Sequence, residues 1–207
     1  MNYVIAILVG YLLGCINPAY LIAKAKGFDI RTRGSLSAGA SNAKITMGWP
    51  YFFIVLAYDL LKSVIAVLVI RHCFPETPSA AILAGTAAVY GHVFPFYLGF
   101  KGGKGYASFI GLMLAVDFRL AVIVILVGLL LAFLSNWIVA ATLTCIIGFP
   151  IAYWLAEKPE LLNVIFIVTA SLLICLEHIP NYRRLVRHQE IGINKNYVGT
   201  KIRADSH

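Results

Sequence analysis

Charge is what this chain has least of. Asp, Glu, Lys and Arg together make up 13% of its 207 residues, where a soluble domain carries about a quarter. Segments that alternate apolar and polar residues are also missing, which argues against a transmembrane β-barrel. The longest polar stretches, 24–48 and 181–207, are too short to fold as a second, soluble domain. Cysteine is sparse and unpatterned: Cys15, Cys145 and Cys175 lie inside apolar runs and Cys73 just past one, with no CxxC or Cys/His spacing. Neither disulfides nor a metal site is expected from them, only small buried hydrophobes. Met1-Asn2-Tyr3 lacks the basic start of a signal peptide, so the first apolar run is expected to be retained.

What is abundant is apolar. Hydrophobic residues form 60% of the chain, and its mean hydropathy is +0.85. The runs are near-continuous, so the expected fold is all-α: a polytopic integral membrane protein of about seven transmembrane helices, one of them short. The runs cover residues 3–23, 49–70, 79–100, 107–116, 120–134, 137–156 and 161–179. The run 107–116 is too short for a full crossing and is expected to be shielded by protein.

Lys and Arg decide whether 107–134 crosses once or twice. Two crossings place Lys24, Lys26, Arg31, Arg33, Lys44, Lys101, Lys104, Arg183, Arg184, Arg187, Lys195, Lys201 and Arg203 on one side. Only Arg71, Arg119 and Lys158 remain on the other, whereas a single crossing splits the basic residues nearly evenly. The positive-inside rule therefore favours seven crossings, with the N-terminus outside and the C-terminus cytoplasmic. That topology sends three polar clusters to one face, as a single site would require. The chain reads as one membrane-embedded domain over 1–207, with 191–207 as a basic cytoplasmic tail.

The first cluster is Gly34-Ser35-Leu36-Ser37-Ala38-Gly39-Ala40-Ser41-Asn42, flanked by Arg31, Arg33 and Lys44. Small residues and hydroxyls can fold tightly around an anion; a flexible linker explains the stretch equally well. The second is Phe100-Lys101-Gly102-Gly103-Lys104-Gly105. Its glycines let backbone N–H groups approach a phosphate, and its lysines supply charge, although the GxxxxGK[ST] spacing of a P-loop is absent. The third is His178-Ile179-Pro180-Asn181-Tyr182-Arg183-Arg184-Leu185, where His178, Asn181 and Arg184 share one face if the turn is helical. Two lesser features sit within the spans. Asp59 and Lys62 share a helix face and are expected to neutralise each other or brace a loop, with a proton path as the alternative. His92 in Gly91-His92-Val93-Phe94-Pro95 reads as structural more than catalytic, and Pro95 as the residue that bends or ends its helix.

In order and spacing these motifs resemble the bacterial acyl-phosphate:glycerol-3-phosphate acyltransferase family, whose pattern is GSGNxGATNxxR, DxxKG, GHxFP, FKGGKGxAT and HxxNxxRL. The resemblance covers nearly the whole chain. It implies transfer of a fatty acyl group from acyl phosphate to the 1-hydroxyl of glycerol 3-phosphate, in phospholipid synthesis at the bacterial cytoplasmic membrane. The products are lysophosphatidate and inorganic phosphate. It implies no cofactor, metal or nucleic-acid partner, and leaves the oligomeric state open. Lys104, His178 and Asn181 are then the catalytic candidates. Gly102, Gly103, Gly105 and Ser35 would hold phosphate, and Ser35 and Lys44 the acceptor. Leu36 and Ser37 stand where the family has Gly and Asn, and Ile45 where it has Arg. An arginine and two serines expected before the sixth span are absent from Ser135-Asn136-Trp137-Ile138-Val139-Ala140-Ala141. The resemblance implies that the departing phosphate takes the acceptor's proton, with His178 as the alternative base; no HxxxxD dyad is present. The alternatives are a paralogue with another small acceptor, or a non-catalytic anion- or lipid-binding or transport protein. The lack of an internal repeat counts against transport.

Overall fold

The computed structural model describes residues 1–187, all helical elements and connecting turns. The expected basic tail at 191–207 lies outside the described residues. Five segments are long and apolar enough to cross a membrane: Asn2–Ala25, Trp49–Cys73, Pro78–Leu98, Phe118–Ser135 and Ile138–Glu157. A sixth is the pair Leu161–Glu177 and Ile179–Val186, bent by 51°. The short apolar helix is Tyr106–Val116, with 11 residues, about 16 Å at 1.5 Å per residue and so roughly half a bilayer core. Among the described residues, five helices, or six with the bent pair counted as one, thus have the length and composition of a span, and the expected short one is an apolar helix below that length. The partial helix is shielded as its length requires: Phe109, Leu112 and Met113 are fully buried.

The helices are α1 (Asn2–Cys15), α2 (Pro18–Ala25), α3 (Ala40–Met47), α4 (Trp49–Cys73), α5 (Pro78–Val93), α6 (Tyr106–Val116), α7 (Phe118–Ser135), α8 (Ile138–Leu143), α9 (Phe149–Glu157), α10 (Leu161–Glu177) and α11 (Ile179–Val186). A π-helical turn, Thr144–Gly148, joins α8 to α9. The α5 span is the hub, with 72% of its apolar window buried against 22% for α7. Its neighbours come close because side chains are small. A Cβ on Gly10 or Gly14 of α1 would sit 2.0 or 2.2 Å from the carbonyl oxygens of Ala84 and Ala88, and one on Gly91 2.2 Å from that of Tyr11. Lipid tails give apolar helices no hydrophobic reason to associate, so such close backbone packing carries the assembly.

The first span, expected to be continuous, is interrupted at a proline, and the third ends near Pro95 as expected. The first breaks at Ile16-Asn17 because Pro18 has no N–H and disfavours helical geometry at Asn17. Asn17 Oδ1 caps the new helix by accepting from Tyr20 N at 2.9 Å. The third ends at Val93, two residues before Pro95, and a tight turn at Phe96–Leu98 leads into the glycine-lysine loop. These breaks turn the chain back at the end of the bundle where the polar clusters lie.

Candidate active site

The first loop is folded, not a free linker. Asn42, fully buried near the start of α3, organises it. Its amide nitrogen lies 2.9 Å from Ile30 O, 3.0 Å from Arg33 O and 2.9 Å from Ser37 O, and its Oδ1 accepts from Ser35 N at 2.8 Å. Gly34 is required beneath it: φ is +60°, and a Cβ would meet Asn42 Oδ1 at 2.2 Å. Leu36 also takes a left-handed conformation, φ 60°, at the position where the family pattern has glycine.

The glycine-lysine loop docks onto both the end of α5 and the first loop. Gly102 N donates to Val93 O at 2.9 Å and Gly103 N to His92 O at 3.2 Å, while Gly102 O accepts from Ala38 N at 3.2 Å. The N–H groups of Gly102 and Gly103, expected to cradle phosphate, are here engaged by α5 carbonyls. The absence of Cβ serves close approach instead, since one on Gly103 would lie 2.1 Å from His92 Nε2. Gly105 differs, with φ +83° at the N-terminus of α6. The N–H groups of that first helical turn are ones a helix cannot satisfy itself. Arg31 clamps the same loop, donating through Nη1 to Leu98 O at 2.6 Å and Lys101 O at 3.3 Å. Its other side pairs with Asp29 at 2.7 Å. The hydrogen bond from Arg31 holds the Asp29 carboxyl below its usual range against partial desolvation, and the same bond raises Arg31.

The third cluster closes the site. The chain bends at His178, where Pro180 occupies the first turn of α11, so Asn181 turns toward the loop. Lys104 Nζ donates to Asn181 Oδ1 across 77 positions of sequence. His178 is buried, and its Nδ1 lies 2.9 Å from Ile174 O. A carbonyl can only accept, so Nδ1 carries a hydrogen and the ring is held by the last turn of α10. The rings of Tyr106 and Tyr182 flank His178, each with its centroid 6.4 Å away.

The predicted residues therefore fall into two groups. Lys104 meets Asn181 directly, and Gly102, Gly103, Gly105 and His178 surround that pair. Ser35 lies exposed on the first loop, joined to the rest through Ala38. Lys44 lies apart from these contacts, its Nζ 3.8 Å over the Trp49 ring. Ile45 packs toward Gly34, 3.1 Å from where a Cβ would stand there. Ile138 is exposed on α8, and Ala141 packs against Gly128 of α7. Sequence reasoning gave no role to Asn17, and named Asn42 and Arg31 only as part and flank of the first cluster. Asn17 Nδ2 donates to Ala38 O at 2.9 Å; the available signal was a polar residue directly before Pro18 inside an apolar run.

The Glycerol-3-phosphate acyltransferase family profile matches residues 4–188. The chain is 32% identical to Glycerol-3-phosphate acyltransferase 1 of Oceanobacillus iheyensis over 95% of its own length and 98% of that protein. It is 37% identical to a Glycerol-3-phosphate acyltransferase of Mesorhizobium japonicum, covering 90% and 94% of the two chains. Its fold superposes on the crystal structure of PlsY, an integral membrane glycerol 3-phosphate acyltransferase, in its glycerol 3-phosphate form. The TM-score is 0.85 at 30% identity, over 93% of this chain and 96% of that one. The lysophosphatidic acid form of the same enzyme matches with a TM-score of 0.80. With the motifs in one place and relatives of nearly equal length, the chain belongs to the glycerol-3-phosphate acyltransferase family.

Proposed function

We propose that the protein transfers a fatty acyl group from acyl phosphate to the 1-hydroxyl of glycerol 3-phosphate at the cytoplasmic face of a bacterial inner membrane. The observation that carries this reading is the Lys104–Asn181 contact, which joins the glycine-lysine loop to the last span beside buried His178. Lys104 and the first turn of α6 hold the donor phosphate; a helix N-terminus and a cation both favour an anion there. A mostly apolar groove of about 580 Å³ runs from Phe94 and Phe100 past Tyr90, Ala87 and Leu83 to Ile7. Its mouth adjoins the loop, so it can take the acyl chain while the phosphate stays at the polar end.

The acceptor's hydroxyl oxygen attacks the acyl carbonyl carbon, and the bond from that carbon to the phosphate oxygen breaks. The proton passes to the departing phosphate, giving ester and inorganic phosphate. Lys104 stabilises the charge that leaves. Asn181 and His178 orient the groups, and Ser35 belongs to the acceptor's side; Lys44, seated over Trp49, would have to swing across to join it. Topology by the positive-inside rule puts the N-terminus outside and this site in the cytoplasm. Ile45 favours one second reading, a different small acceptor, because the family's arginine is missing there.

The test is phosphate release by purified protein in lipid, given palmitoyl phosphate with and without glycerol 3-phosphate. Acceptor-dependent release that Lys104→Ala abolishes supports the reading. Release with another phosphorylated polyol alone moves the acceptor, and Lys104-independent behaviour with every acceptor sinks the proposal. His178→Ala losing only a few-fold of turnover fits proton transfer to phosphate; a loss of several orders makes the histidine the base.

A further inference from the structure

Asp59, Lys62 and His92 form a charged cluster inside the bundle, 1%, 2% and 3% exposed. Lys62 Nζ has three hydrogens and three partners: Asp59 Oδ1 at 2.9 Å, His92 Nδ1 at 2.7 Å and Ile16 O at 3.3 Å. His92 Nδ1 also lies 3.2 Å from Asp59 Oδ1, so the three side chains close a triangle: Nδ1 accepts from the ammonium in one tautomer and donates to the carboxylate in the other. The ring edge carrying Nε2 packs on Gly103, and the backbone oxygen of the same histidine receives Gly103 N. Ile16 O lies at the α1–α2 break, next to Asn17, whose side chain holds Ala38 O. On the other side, Asp59 O accepts from Ser108 Oγ at 3.0 Å, in the first turn of α6.

Three segments around the phosphate end thus touch this cluster within two residues: the glycine-lysine loop through His92, the first loop through Asn17, and α6 through Ser108. Charge neutrality alone needs only Asp59 and Lys62. His92 and the break carbonyl of Ile16, the two partners of the ammonium besides Asp59, are what extend it to both loops. We propose that Asp59, Lys62 and His92 are positioning residues for acyl transfer. They set the relative placement of the donor and acceptor loops without touching either substrate. The proposal rests on the acyltransfer reading above.

Two variants test it in full-length protein in lipid, with palmitoyl phosphate and glycerol 3-phosphate. His92→Asn keeps an acceptor for Lys62 but removes the ring edge from Gly103. The double variant Asp59→Asn/Lys62→Met removes both charges together, so neither is left buried alone. The expected result is folded protein with a melting temperature near wild type. Its kcat falls roughly 100-fold, the loss typical of a misplacement of about 1 Å, and the KM for each substrate changes far less than kcat. A folded variant of either kind with kcat within about threefold of wild type overturns the proposal. If the double variant does not fold, His92→Asn decides alone by the same criterion. If neither folds, the cluster serves stability and the proposal is likewise overturned. Inactive wild type would instead sink the acyltransfer reading, so the two failures are distinguishable.

Discussion

Replacing Gly103 by alanine isolates one steric contact in the candidate site. Gly103 is not among the glycines with positive φ, so its backbone accepts alanine without conformational strain. The added methyl carbon would lie 2.1 Å from His92 Nε2 and 2.8 Å from Ala38 O, where ordinary contacts begin at about 3.4 Å. Neither neighbour yields easily: the imidazole is held by Lys62 and the carbonyl by Asn17. Relief therefore requires a shift of about 1 Å in the loop, at a cost of about 1–3 kcal/mol and roughly 100-fold in rate if the phosphate site moves with it. Gly105→Ala is the contrast. Its φ of +83° strains any side chain, but its nearest neighbours are side-chain carbons at 3.0–3.4 Å, so about 1–2 kcal/mol is expected from the backbone. Acceptor-dependent phosphate release and thermal unfolding would be measured for both. His92→Ala added to Gly103→Ala should be less damaging than the two losses combined, because one clash is removed. Wild-type turnover and stability in Gly103→Ala would refute the argument that close packing on His92 fixes the loop.

Three further outcomes follow from the geometry. Ile45→Arg places a guanidinium beside Gly34 and Ser35 and should lower the KM for glycerol 3-phosphate about fivefold. That corresponds to about 1 kcal/mol, a charged hydrogen bond discounted for exposure; an unchanged KM would separate this position from acceptor binding. Leu36→Gly removes a side chain from a left-handed, exposed position and should leave stability unchanged or raise it by up to about 1 kcal/mol, since relieved strain opposes glycine's entropy. Thermal unfolding with a loss greater than that would contradict the strain. Ala87→Trp fills the apolar groove and should raise the KM for palmitoyl phosphate more than that for a short-chain acyl phosphate; equal effects on both would place the acyl chain elsewhere.

Some of this protein was fixed by local pattern. Continuous apolar runs with little charge leave only buried helices, because an unpaired backbone amide is too costly in lipid. The shortness of 107–116 already required shielding, and Pro95 already marked the end of α5. The glycine-lysine loop, His178 and Asn181 were visible as residue types suited to phosphate. What those residues do to one another was not visible. The N–H groups of Gly102 and Gly103 turn to α5, Lys104 reaches Asn181, and His92 becomes the third member of the Asp59–Lys62 pair. Helical and turn signals act over a few residues, whereas the Lys62–His92 and Lys104–Asn181 contacts join positions 30 and 77 apart. The close approach of α1 and α5 at Gly10, Gly14 and Gly91 belongs to the same level. Small residues permit such an approach on any helix, and only the packed bundle decides which helices make it.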